Sequence, residues 1–238
     1  MTIANIFTKA KKIPESPWTI RDVVLVVILT FAISGICYIT LLELVGDNKT
    51  TVRVARYIGS LLMIFLPLSW IKKRYGLTKE ALGLKRGNLY LSVSVLIGIE
   101  TGLFYSLLIK LTIFKHTPVI DLNIPNLYIY LILLPISING FATIILAPIG
   151  EEILDRGFIY GYLRRRLGIT LGLILQALFF SLSHPNYLYG NSILLIIIGV
   201  VVGLILGILY EKTGSIYPSI ICHGTINYFA IIFKYIQI

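Results

Sequence analysis

The chain has 238 residues, 57% of them hydrophobic and only 13% charged, with a formal net charge of +10 and a mean hydropathy of +0.88. This composition excludes an ordinary soluble globular domain and indicates a polytopic membrane protein. The positive charge does not indicate a nucleic-acid partner, because the basic residues gather at the ends of apolar runs, as membrane topology requires.

Taken in chain order, a polar and basic lead over residues 1–21 comes first and is expected in the cytoplasm. No small-residue cleavage site follows a short apolar core, so no removable signal peptide is expected. Apolar runs long enough to cross about 30 Å of hydrocarbon then follow near Val23 to Leu44, Val54 to Ile71, Leu89 to Ile113, Leu127 to Leu146, Ile169 to Ser183, Ile193 to Tyr210 and Ile216 to Ile236. All should be helical, since lipid satisfies no exposed backbone group. The expected fold class is all-α, a polytopic integral membrane helical bundle of about seven (seven to eight) transmembrane helices. N-terminal helices occupy 22–126, and a C-terminal core over 127–236 belongs to the same integral domain.

Topology follows from charge. Placing Lys9, Lys11, Lys12 and Arg21 inside puts Lys72, Lys73, Arg74, Lys79, Lys85 and Arg86 inside after two spans. Lys115 then falls outside. If Leu127 to Arg166 makes one crossing, kinked at Pro148, then Arg164, Arg165 and Arg166 are inside as well, whereas a two-span hairpin would export them. Seven spans are favoured over eight. Cys37 and Cys222 show no paired spacing, so neither a disulfide framework nor a zinc knuckle is expected. Gly199, Gly203 and Gly207 recur every four residues and predict a smooth face for close helix packing. Glu100, halfway along the third span, is expected to line a cavity or to pair with Arg156.

The most informative stretch is Glu151-Glu152-Ile153-Leu154-Asp155-Arg156, set in strongly apolar sequence. An acidic residue at mid-membrane costs roughly 2.5 to 3.5 kcal/mol on insertion scales. These carboxylates therefore need a watery cavity, a proton, a cation or Arg156. Glu152 and Arg156 share one helical face and predict an internal ion pair. Glu151 shares another face with Asp155, a like charge that favours retention of a proton between the two and makes Glu151 a candidate general base. His184 closes the fifth span, His223 begins the last, and Asn227 lies one turn after His223. A water between Glu151 and His184, faced by His223 and Asn227 as oxyanion donors, supplies the parts of a peptide hydrolase without a Ser or Cys nucleophile. Glu151, His184 and His223 equally make a catalytic zinc set with an open position, although the His-Glu-x-x-His helix is absent. At this level both a bare carboxylate and zinc as cofactor remain open.

Glu-Glu-x-x-x-Arg at Glu151 to Arg156, Phe-x-x-x-His at Phe180 to His184 and His-x-x-x-Asn at His223 to Asn227, in that order and in separate apolar helices, resemble the CPBP family. That family comprises CAAX prenyl endopeptidases and bacteriocin-processing intramembrane proteases. The resemblance covers roughly Leu127 to Phe233 and extends to Ala147-Pro148 and, more loosely, to Leu82-Gly83-Leu84-Lys85-Arg86. It implies an intramembrane endopeptidase in which Glu151 and His184 activate water, His223 and Asn227 stabilise the oxyanion, and Glu152 and Arg156 support the site. The implied partners are membrane lipid and a membrane-associated protein or peptide substrate, with no nucleic acid, in the plasma membrane of a prokaryote. Asp155 stands where such proteins more often carry a hydrophobic or aromatic residue. An inactive member, serving bacteriocin immunity or as a membrane scaffold, is the alternative reading.

Overall fold

The computed structural model describes residues 13–14, 16–85, 91–113, 137, 140–184 and 193–235, with backbone alone at 91–92, 105–106, 108–113 and 233–235. Helix α1 runs over Ile20–Val45 and α2 over Lys49–Tyr75. Thr19 and Asp22 form a capping box at the start of α1, each satisfying an amide that the first turn leaves without a helical partner. Asp22 is fully buried, and it also accepts from Trp70 Nε1 at 2.9 Å and the Tyr75 hydroxyl at 2.5 Å and pairs with Arg74 Nε at 3.0 Å. These donors replace the water that a buried carboxylate loses. They also lock the start of α1 to the end of α2.

A 3-10 turn at Lys79–Leu82 and helix α3 at Leu91–Ile113 follow. The next helical run comprises a π-helical turn at Phe141–Leu146, α4 at Ala147–Glu152, a second π-helical stretch at Ile153–Tyr160, and α5 at Gly161–Leu182. Pro148 has no amide to give back to the preceding turn. It sits at the start of α4, directly after the wider π turn, so the expected kink site carries proline within a continuing helix. The reversal comes at Gly168, whose φ of 79° and ψ of −179° interrupt α5. A Cβ on Gly172 would lie 3.1 Å from the Arg164 amide nitrogen, whereas eight residues of straight helix would separate them by about 12 Å. Helices α6 (Ile193–Thr213) and α7 (Tyr217–Tyr235) complete the described chain.

Among the described residues the regular structure is entirely helical. Four helical segments are long and apolar enough to cross a membrane: Ile20–Val45, Lys49–Tyr75, Phe141–Leu182 and Ile193–Thr213, with a shorter apolar helix at Val93–Phe104. This is the fold of a helical integral membrane protein, but these four segments do not establish the expected seven to eight spans. The run Ile169 to Ser183 belongs to the same 42-residue segment as the site helix, and most of Leu127 to Leu146 lies outside the described residues, as does the lead 1–12. Helices α3 and α7 stand where the third and seventh spans were expected. Large apolar side chains such as Ile28, Ile36 and Leu44 on α1 and Ile193 and Ile197 on α6 are exposed, the arrangement suited to lipid contact.

The core gathers at the end of the bundle where α1 begins and α2 ends. Trp18, fully buried, stacks on Phe158 at 5.1 Å between ring centroids and donates Nε1–H to the Phe158 carbonyl. Arg165 reaches Ser16 O at 2.8 Å. The stretch 153–160 is thus clamped by the segment leading into α1. Helix α6 packs on α5 through the expected glycine face: a Cβ on Gly203 would meet Ala177 Cα at 2.9 Å, and one on Gly207 would meet Gln176 Nε2 at 2.7 Å. Close approach of this kind is what small residues permit.

Candidate active site

Glu151 and Glu152 are the last residues of α4, and Asp155 and Arg156 open the second π-helical stretch. Helix α4 can reach α2 because residue 150 has no side chain: a Cβ there would lie 2.7 Å from Ser60 O. Helix α7 approaches from another side, where a Cβ on Gly224 would lie 2.6 Å from Ile144 O. That approach carries His223 and Asn227 to the wall of the site. His184 follows the C-terminal end of α5.

Arg156 is fully buried and is held from several directions. Its Nη1 lies 2.9 Å from Glu152 Oε1 and 3.5 Å from Asp155 Oδ2, and its Nη2 donates to Gly203 O at 3.3 Å. Its guanidinium carbon stands 4.5 Å from the centroid of the Phe180 ring, within the range of a cation–π contact. Gln176 donates to the same Gly203 carbonyl at 2.9 Å.

The histidines converge on Glu151. His184 Nε2 lies 3.3 Å and His223 Nε2 3.6 Å from Glu151 Oε2. Their other nitrogens are occupied: His184 Nδ1 is 2.7 Å from Phe180 O, and His223 Nδ1 is 2.9 Å from Glu152 Oε1. A carbonyl only accepts, so His184 carries a proton on Nδ1 and presents Nε2 to Glu151. An ionised Glu152 likewise requires a proton on Nδ1 of His223. Glu151 Oε2 is buried yet accepts no hydrogen bond from the described residues, and the same is true of Glu152 Oε2. Buried polar atoms of this kind call for water or another ligand.

All the expected site residues except Asn227 meet around this point. Asn227 is one turn away on α7, where its Nδ2 donates to Thr143 O at 2.9 Å. One amide proton is thereby engaged. Glu100 is exposed, and Arg156 has Glu152 and Asp155 as its carboxylate partners, so the expected link between Glu100 and Arg156 is not formed. Sequence reasoning used Phe180 only as a motif position, without a role in the site, and did not single out Gln176. Phe180 lies 4.5 Å from the His184 ring and 5.5 Å from the His223 ring. Gln176, Phe180 and His184 stand four apart, and that spacing is the signal that could have revealed them as one face.

As potential metal donors, Glu151, His184 and His223 are right in kind: both imidazoles present Nε2 and anchor Nδ1, the usual second support of a metal-bound histidine. Tetrahedral zinc with bonds of about 2.0 to 2.1 Å separates its ligand atoms by about 3.4 Å, close to the two spacings observed here. Among the described residues, however, no three or more such side chains are grouped so as to enclose an ion. Beside this site lies a cavity of about 470 Å³ lined by Val95 and Ile99 of α3, Ile144 and Ile145, and residues of α7 including Gly224 and Tyr228.

Residues 133–229 match the family model described as type II CAAX prenyl endopeptidase Rce1-like. That segment contains both glutamates, Arg156, both histidines and Asn227, and the match supports the resemblance to the CPBP family of proteases. Searches of curated proteins and of solved structures returned no match.

Proposed function

We propose that the protein is an intramembrane endopeptidase that hydrolyses a peptide bond of a membrane-associated protein or peptide with a water activated by Glu151 and His184. The observation that carries this reading is the position of Glu151 Oε2 between two imidazole Nε2 atoms, buried and without a hydrogen-bond donor. A water placed there donates one proton to the Glu151 carboxylate and the other to the His184 lone pair. As its oxygen attacks the substrate carbonyl, Glu151 takes the proton, and it returns that proton to the amide nitrogen when the C–N bond breaks. The products are a carboxylate and an amine.

The negative oxygen formed on attack needs donors fixed in advance. Asn227 has one amide proton left after Thr143 takes the other. His223 can donate from Nε2 only while it also holds the Nδ1 proton, that is, as an imidazolium. Glu152 Oε1 at 2.9 Å is its counter-charge. Arg156 in turn fixes Glu152. If the site takes zinc, Glu151, His184 and His223 would hold it, and the metal would supply a more acidic water and a polarised carbonyl.

CAAX prenyl ends are the substrates named in the family description. The apolar cavity beside Gly224 supports an apolar anchor on the substrate here. The topology that goes with this function has seven spans in a prokaryotic plasma membrane, with the basic clusters at Lys72 to Arg86 and Arg164 to Arg166 in the cytoplasm. Substrate trapping tests the whole reading: full-length Glu151→Gln should retain membrane-anchored peptides that the wild type releases as cleaved products. Recovery of no peptide specific to the variant would count against hydrolysis and in favour of immunity or a scaffold.

A further inference from the structure

Helix α4 is six residues long, ends in Glu151 and Glu152, and lies between two π-helical stretches. A π turn carries more residues than an α turn and is rare without a local cause. The stretch Ile153–Tyr160 therefore sets the rotation at which α4 presents its glutamates relative to α5 and His184. What holds that stretch lies outside the residues matched by the family model. Trp18 stacks on Phe158 with 12° between the ring planes. The Phe158 carbonyl accepts the Gly161 N–H, three residues on, and takes the Trp18 indole N–H as a further donor at 2.9 Å. Both side chains are fully buried, where bulk water does not stand in for a lost donor.

Two glycines let these supports reach the helix. A Cβ on Gly157 would lie 2.7 Å from Leu82 O, and one on Gly161 would lie 2.5 Å from Ser16 Oγ and 3.2 Å from Trp18 Cζ2. Arg165 fastens the same arm through Ser16 O at 2.8 Å. Two residues before Phe158, Arg156 pairs with Glu152, whose Oε1 meets His223 Nδ1. A continuous run of contacts thus joins the indole to the imidazole through Phe158, Arg156 and Glu152.

We propose that Trp18 is a positioning residue for the reaction: the segment leading into α1 holds the π-helical stretch in the rotation that aligns Arg156, Glu152 and His223. This rests on the proposed peptide hydrolysis and adds that turnover depends on an arm remote in sequence from the site. The test uses the full-length protein in phosphatidylcholine nanodiscs with Trp18→Phe, which keeps an aromatic ring against Phe158 and removes the N–H. Per folded molecule, kcat on a membrane-anchored peptide should fall about tenfold, the scale of one lost hydrogen bond, with KM unchanged. A role in stability alone would lower abundance and leave kcat per folded molecule as it was. Site geometry is read separately from turnover. The chain has three histidines, and in protein carrying isotope-labelled histidine the Nδ1 signal of His223 is identified by its loss in His223→Gln. That signal should shift in Trp18→Phe. Arg165→Gln releases the arm at an exposed position and should move kcat and the signal in the same direction by less, so it decides the matter if Trp18→Phe inserts poorly. A wild type that cleaves no peptide would count against hydrolysis, and the His223 signal would still report on the arm. A wild-type kcat in the folded variants of a cleaving enzyme, or an unmoved His223 signal, would overturn the positioning role.

Discussion

His223 Nδ1 lies 2.9 Å from Glu152 Oε1, the same carboxylate oxygen that Arg156 Nη1 approaches at 2.9 Å. One oxygen thus connects the last helix to the buried arginine, and the second glutamate of the pair has an electrostatic task distinct from that of the first.

Breaking the Glu152–Arg156 pair should damage the protein as well as its rate. Glu152→Ala leaves Arg156 buried with Asp155, at 3.5 Å, as its remaining ion-pair partner, a defect of about 3 to 5 kcal/mol for a broken buried pair. Arg156→Ala strands the carboxylate instead. Immunoblots of membrane fractions should show reduced abundance for both, and Glu152→Gln, which keeps the shape, should be recovered in larger amounts than Glu152→Ala.

Asn227→Ala should insert normally and keep measurable cleavage. Loss of one oxyanion donor costs about 100- to 1000-fold in rate, and the groups around Glu151 stay in place. Single-turnover cleavage of a membrane-anchored peptide checks this, and an unchanged rate would remove Asn227 from the oxyanion role.

The sequence exposed the acidic segment because a carboxylate in hydrocarbon demands compensation, and the pairing of Glu152 with Arg156 was readable from their spacing. The local helix was not readable: residues 153–160 adopt a π-helical stretch, in which the four-residue rule alone no longer fixes which side chains share a face. Glu151 consequently faces the imidazoles, while Asp155 leans toward Arg156. The contact between His223 and Glu152 joins residues 71 apart in the chain. It depends on the close approach at Gly224, which no local pattern encodes. The helix ends around Gly168 were legible from Arg164 to Arg166 and the apolar run that follows, although the reversal through a single glycine was not.

The contacts of Arg165 with Ser16 and of Asp22 with Arg74 place these basic clusters at one end of the bundle. Single cysteines near Lys79 and Arg165 should therefore both be protected from an impermeant thiol reagent in intact cells, and both should react after permeabilisation. Labelling of the position near Arg165 from outside would make Leu127 to Arg166 a two-span hairpin.

Activity should survive chelation, and elemental analysis of the purified active protein should find less than stoichiometric zinc, because the water has Glu151 and His184 to activate it. Zinc at one per chain, lost together with activity on chelation and restored with it on readdition, would transfer water activation to a metal held by Glu151, His184 and His223.

The most direct test of the account is the cleavage rate of Glu151→Ala in protein shown to be inserted and folded, measured on a membrane-anchored peptide beside His184→Ala and His223→Ala. Each substitution removes a polar group of the site rather than a packed apolar side chain, so each should be recovered in the membrane and should nearly abolish cleavage. A folded Glu151→Ala protein that cleaves at the wild-type rate would contradict it.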